Sequence, residues 1–410
     1  MDHTVVFYCI LGILIGEFVV TTILNYLNAK KFRDPIPADV HDVYNPEEYK
    51  KSQEYKLANY RFGIVTSVFS LVLIVAFLVF GGFGFVDTIV MDLTNDQILQ
   101  ALLFFGFIMI GSDFLATPLS YYQTFVIEEK FGFNKTTVKT FLLDKLKSWL
   151  MTIVIGGILL SLVIWFFQFA GKGFWLYTWA LIAVFTLFMN LFYSKLIVPL
   201  FNKQEPLETG SLKEKIEAYA SKVGFELKNI FVINGSKRST KANAYFSGFG
   251  KEKRITLYDT LINDLEEDEI VAVLAHEIGH YKKNHIIFNL ITSVLLTGFM
   301  LFILSLFINN PSISLAVGVD RPSFHAALIG FGILYSPISE LTGLLMNYFS
   351  RKFEYQADDF AKNTFAAPPL ITSLKKLSKN SLSNLTPHPT YVFVHYSHPP
   401  LVERIRNLKA

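Results

Sequence analysis

His276-Glu277-Ile278-Gly279-His280, followed closely by the apolar run 286–308, decides how this chain is read. Residues four apart on an α-helix share a face, so His276 and His280 can both reach one metal ion. Glu277, between them, points toward a water that such an ion would hold. This is the H-E-x-x-H arrangement of zinc-dependent peptide hydrolysis. The run that follows is long enough to cross a bilayer, so the motif lies at a membrane border.

The composition agrees with that setting. The 410 residues are 52% hydrophobic, 15% aromatic and 17% charged, with a mean hydropathy of +0.39. Soluble domains carry about 25% charge, and 40 Phe are too many for one aqueous core. The expected class is an α-helical polytopic membrane protein. A net charge of +3 with no basic block argues against nucleic acid as a partner. Cys9 is the single cysteine, which excludes an internal disulfide and a multi-cysteine metal cluster and disfavours a cysteine nucleophile. Asp2 and His3 open the chain and no cleavable signal is expected.

Seven segments are apolar enough to span: about 4–27, 62–86, 98–121, 149–171, 174–200, 286–308 and 323–348. Asp113 and Pro118 fall in the third, whose end is expected to bend or unwind. The first loop holds Lys30, Lys31, Arg33, Lys50, Lys51, Lys56 and Arg61; the second holds Asp87, Asp92 and Asp96 without Lys or Arg. The third loop holds Lys130, Lys135, Lys139, Lys145 and Lys147; the fourth holds Lys172 alone. The 201–285 connection is basic, and the sixth has only Arg321. This alternation places the N-terminus outside and the zinc motif on the cytoplasmic side, at the inner membrane of a bacterium or the endoplasmic reticulum membrane of a eukaryote. Glu17, Asp113 and Glu340 lie within spans, where ionisable groups either face a hydrated interior or pair locally.

Four regions follow: 1–200, carrying five spans; 201–285, a zincin-like α+β catalytic domain; 286–348, carrying two spans; and 349–410, a C-terminal helical region. Within 201–285, Ser211 to Val223 reads as an amphipathic helix and Asn229 to Asn234 as a strand. Asn243 to Gly250 and Arg254 to Tyr258 read as a hairpin turning at Gly250-Lys251-Glu252. A helix then starts near Asp264, behind an acidic cluster, and runs to Tyr281. Asn243 to Gly250 is the candidate edge strand, on which an extended peptide could pair. Ser350 to Lys362 and Leu401 to Leu408 read as helices.

A catalytic zinc keeps three protein ligands and one open position. The third candidate is Glu354, with Asp358 four residues on, placed to hydrogen-bond the free nitrogen of a ligating histidine. Two expected spans separate His280 from Glu354, and an even number returns the chain to the same side. His285 reads as interfacial; His3, His41, His325, His388 and His395 read as structural.

With these residues in view, the chain resembles the integral-membrane CAAX prenyl protease family, zinc metalloendopeptidases of the gluzincin type that act on farnesylated peptides in eukaryotes. The resemblance rests on Glu128 to Lys135, Ala242-Asn243-Ala244-Tyr245-Phe246, His276 to His280, Arg351 to Asp358 and His395 to Arg404. It runs from residue 128 almost to the end; before that, hydropathy matches more than motif. It implies seven helices around a water-filled intramembrane chamber. It implies one Zn2+ held by His276, His280 and Glu354, with Glu277 as base and Asp358 behind the ligands. It also implies that Asn243 and Ala244 hold the substrate backbone and that His398 and Arg404 lie at the active site. The lumenal connections and the 309–322 loop look short beside those of eukaryotic members.

The function expected is hydrolysis of CAAX-type prenylated or other membrane-associated peptides. His398 is the candidate oxyanion donor; Arg404 could orient it, or bind Asp358 or the substrate C-terminus. The expected partners are a peptide or protein substrate, prenylated or not, and the lipid bilayer; an enclosed chamber implies no obligate partner chain. Two alternatives stand beside this reading: a quality-control protease for misfolded or stalled membrane proteins, and a catalytically silent chaperone or transport-like chamber. The last has no need for Glu277.

Overall fold

The structure, a computed structural model, describes residues 2–227, 230–248 and 253–410. Among these, six helical segments are long and apolar enough to cross a membrane: His3–Arg33, Pro46–Val79, Gln97–Phe131, Val138–Phe201, His285–Phe307 and Phe324–Thr364. The fourth has 64 residues and contains both spans expected at 149–171 and 174–200. Its helices Gly157–Ala170 and Phe174–Leu196 pack on each other. The chain reverses between them at Gly171, whose φ of 52° costs a glycine little. Pro118 stays within the helix Gln97–Tyr122, and the expected disturbance lies further on, as a π-type turn over Gln123–Glu128. Asp113 accepts both Lys145 Nζ (2.9 Å) and Trp149 Nε1 (3.0 Å), so its charge is paired across two helices. Glu17 accepts Ser336 Oγ.

In the most apolar window of each segment only 6–17% of residues are buried. A close-packed bundle buries one face of every helix. Here most residues of every such window keep some exposed surface.

A mixed four-stranded sheet follows the 64-residue segment. It comprises β1 (Gln204–Pro206), β2 (Ile230–Ile233), β3 (Ala244–Ser247) and β4 (Arg254–Tyr258), in the order β1-β2-β4-β3. β2 and β4 are parallel, with Ile230 opposite Ile255; β3 and β4 are antiparallel, with Ala244 opposite Leu257. β3 is an edge, as the sequence suggested. The expected turn at Gly250-Lys251-Glu252, the end of the candidate edge strand at Phe249-Gly250, and Asn229 lie outside the described residues. Three-residue β1 is too short to carry an alternation of its own, and the sequence reading passed over it.

The acidic cluster opens the motif helix, Glu267–Lys282, with Glu267, Asp268 and Glu269 in its first turn, while Asp264 ends a separate short helix, Asp259–Asp264. Glu266 and Glu269 form a capping box, so the motif helix begins two to three residues later than expected. Ile270, Leu274 and Ile278 of the motif helix are fully buried against Leu257 and Leu261. At about 1.5–3 kcal/mol each, they offset the cost of burying the polar residues on the same helix.

The expected span 323–348 and helix 350–362 are one helix, Phe324–Thr364, of 41 residues. At 1.5 Å per residue it is about 60 Å long, twice the ~30 Å hydrocarbon core. Its second half therefore leaves the apolar region and runs beside the motif helix. The two helices meet where a Cβ on Gly279 would lie 3.1 Å from Ala357 Cα and 3.2 Å from its carbonyl oxygen. A glycine here allows the close approach. Ala357 lies between Glu354 and Asp358, so the approach brings both acids to the histidines. Helix Ala367–Asn380, which the sequence reading left unassigned, closes over the motif helix through Lys376 Nζ to Glu269 (2.8 Å).

Candidate active site

His276, Glu277 and His280 project from the motif helix, Glu354 and Asp358 from the long helix, and Arg404 from the C-terminal helix Leu401–Lys409. His398 lies just before that last helix, with Pro399 and Pro400 buried behind it. One cavity of about 710 Å³ is lined by Asn243, Ala244, His276, Glu277, His280, Glu354, His398 and Arg404. Asp358, wholly buried, stands behind it.

The Nε2 atoms of His276 and His280 are 3.1 Å apart. Glu354 Oε2 is 3.4 Å from His276 Nε2, and Glu354 Oε1 is 3.2 Å from His280 Nε2. Four ligands around zinc at 2.0–2.1 Å would stand about 3.3 Å from one another, which these separations match.

The outer nitrogens fix which atoms face inward. His276 Nδ1 is 2.9 Å from Asp358 Oδ1 and donates to it. With Gln356 Oε1 accepting from His285 Nε2 (2.8 Å), His285 Nδ1 is left to accept from His280 Nδ1 at 3.0 Å. Both Nε2 lone pairs then face each other and the Glu354 carboxylate. Glu354 Oε2 is buried and accepts no hydrogen bond, although Arg404 Nη1 lies 3.3 Å away. Three electron-rich atoms so placed call for a cation between them, and two imidazoles with one carboxylate suit zinc.

Proton affinity gives the same sign. Burial and then Arg404 push the His276 imidazole down, but the neighbouring acceptors Asp358 and Glu354, with the charge of Glu354, outweigh both and hold it up at about 9. The pocket favours positive charge at this imidazole.

Arg404 donates through Nε (2.9 Å) and Nη2 (2.6 Å) to Asp358, a bidentate pair. Of the roles open to it, binding Asp358 is the one adopted. His398 is exposed; its Nε2 lies 3.3 Å from Glu354 Oε1 and its Nδ1 3.0 Å from Ser397 Oγ. Asn243 and Ala244 stand at the start of edge strand β3, on the cavity rim.

His285 differs from its interfacial reading. It is buried, stacked on Phe353 with centroids 4.1 Å apart, and hydrogen-bonded to His280. The cause is local. Asn284 adopts φ 60°, a left-handed conformation Asn tolerates, and breaks the chain between two helices so that His285 folds back. Asn at a break between two helical patterns was the available signal. His325, read as structural, is buried 2.7 Å from Asp87, which Arg321 also contacts at 3.1 Å. These contacts tie the helix Gly82–Leu93 to the start of the long helix Phe324–Thr364. Among the other histidines, His41 Nδ1 reaches Ala38 O at 2.8 Å and His388 caps the helix Pro389–His395.

Asp358→Asn tests the support behind His276. Weakening the hydrogen bond to a ligating imidazole costs about 10–100-fold in metal affinity. Titration of zinc against a competing chelator is expected to register a loss of that size, and unchanged affinity would rule out the role.

Comparison with known proteins places the whole chain. Residues 25–203 match a family model described as CAAX prenyl protease N-terminal, five membrane helices. Residues 206–410 match the model of peptidase family M48. A CAAX prenyl protease 1 homolog of Arabidopsis thaliana is 37% identical over 97% of this chain and 96% of its own length. CAAX prenyl protease 1 of Saccharomyces cerevisiae is 36% identical over 97% and 94%. The crystal structure of S. mikatae Ste24p superposes with a TM-score of 0.93 at 36% identity, covering 98% of both chains.

Proposed function

Since this chain belongs to the CAAX prenyl proteases of peptidase family M48, and is a multi-pass membrane metalloprotease, we propose that it binds one zinc ion through His276, His280 and Glu354 and cuts CAAX-type prenylated or other membrane-associated peptides. The observation that carries this is the convergence of three ligand atoms from helices far apart in sequence, all within 4.8 Å of one another.

A zinc ion held there supplies Lewis acidity, to activate water and to polarise the scissile carbonyl. Glu277, on the cavity wall, takes the proton from the attacking water and returns one to the leaving nitrogen. His398 donates a hydrogen bond to the oxygen that gains charge. The peptide backbone lies along the open edge of β3, held by Asn243 and Ala244. Asp358, itself clamped by Arg404, fixes the His276 ring, and His285 with Gln356 fixes His280.

The membrane part makes seven crossings around a hydrated chamber, the 64-residue segment supplying two. The low burial of every apolar helix supports this, as do Asp113, Glu17 and Glu340 within the spans. The basic loops support an active site on the cytoplasmic face, in the endoplasmic reticulum of a eukaryote or the inner membrane of a bacterium.

Chelator-treated protein is expected to stop cleaving a farnesylated peptide ending in C-a-a-X, and about one equivalent of zinc to restore cleavage. Cleavage that survives complete metal removal would defeat the proposal. Equal cleavage of the unprenylated peptide, or faster cleavage of a misfolded span, would favour a quality-control role.

A further inference from the structure

A peptide ending in C-a-a-X carries a free carboxylate three residues past its prenylated cysteine, about 10 Å at full extension. In a site already holding Glu277 and Glu354, that charge needs a cation. Arg404 is not open to it: Nε and Nη2 are engaged by Asp358, and Nη1 lies 3.3 Å from Glu354.

A second cavity, of about 420 Å³, adjoins the active-site cavity, and Asn384 and Tyr396 line both. Lys56 lines its wall. Its residue is 8% exposed, and its Nζ is buried with no hydrogen-bond partner among the described residues. The rings of Tyr49 and Phe32 flank the ammonium, at 5.5 and 5.8 Å. Glu128, the carboxylate contacted by the preceding Tyr55, is occupied by Tyr55 Oη (2.6 Å) and Lys241 Nζ (2.9 Å). An ammonium withdrawn from water without a counter-charge is costly. It is accounted for if an anion arrives with the ligand. Other polar groups of the wall, such as Asn28 and Asn59, offer amides that can solvate a carboxylate.

We infer that Lys56 receives the terminal carboxylate of the bound peptide, and so makes this site selective for the free C-terminal end of a chain. The inference rests on the peptidase reading and names its specificity residue. The test uses the full-length protein in phosphatidylcholine vesicles with two farnesylated peptides ending in C-a-a-X, one a free acid and one a carboxamide. Wild type is expected to favour the acid by about tenfold or more in kcat/KM, the worth of one charge-assisted hydrogen bond. In Lys56→Met the ratio falls to near one, and in Lys56→Arg, which keeps the charge, a preference for the acid remains. Bound zinc and residual amide hydrolysis report that both variants are folded.

Equal turnover of acid and amide by wild type, or an unchanged ratio in Lys56→Met, overturns the inference and leaves the peptidase reading standing. Cleavage of neither peptide by wild type overturns both. A Lys56→Met defect that is equal for the two peptides and appears only when phosphatidylserine is added assigns the cavity to a lipid headgroup, and overturns the inference as well.

Discussion

Glu277→Ala is expected to lower hydrolysis of a prenylated C-a-a-X peptide by about 10²–10⁴-fold, the usual contribution of a positioned general acid–base group. At 1.36 kcal/mol per factor of ten, this is roughly 3–5 kcal/mol of barrier. The loss should fall on kcat, since Glu277 acts on the proton in flight. Bound zinc should remain, because the three candidate ligands are other residues and the motif helix is anchored by Ile270, Leu274 and Ile278. A variant that keeps its metal and cuts as fast as wild type would remove Glu277 from the chemistry. A variant that loses its metal would show that the side chain builds the site.

Glu354→Ala is expected to act one step earlier. Its carboxylate faces His276, His280, His398 and Arg404 within 3.2–3.4 Å. Without it, two imidazoles alone cannot hold zinc in a three-ligand site, so purified protein should carry almost no metal and show no hydrolysis above background. The same change leaves Arg404 with one carboxylate in place of two in a buried setting, which removes part of the compensation of its charge. The melting temperature of the metal-free variant should therefore fall below that of metal-free wild type. Full zinc occupancy in Glu354→Ala would refute the ligand assignment, whatever happens to activity.

The sequence carried what is periodic or parity-bound. His276 and His280 share a face because a helix turns every 3.6 residues. The apolar runs are legible because hydrocarbon demands about 20 apolar residues in a row. Even the long reach to Glu354 was legible, since two crossings return the chain to its starting side. Asp358 followed from the same helical spacing. The two strands between Asn243 and Tyr258 showed as short runs either side of a Gly-containing turn signal, and the 64-residue segment was divisible because Gly171 and Gly173 interrupt it.

The family resemblance supplied other residues. Asn243, Ala244, His398 and Arg404 have no spacing that ties them to His276, because they arrive from a strand, a loop and a terminal helix. Only packing assembles such a set. The near-complete match to a solved relative agrees with the resemblance seen in the motifs.

By itself the sequence determined that a bilayer-embedded chain bears a metal-binding helix at its border, because hydropathy and helical period are local properties. The tertiary structure decided what depends on meetings between distant segments. It set which way His285 turns, which acid Arg404 clamps, and how closely Gly279 lets Ala357 approach. It also set Lys56, one of seven basic residues in the first connection, on the wall of the second cavity with no hydrogen-bond partner among the described residues. Such contacts are fixed by where helices cross in space, and neither charge nor spacing along the chain encodes a crossing point.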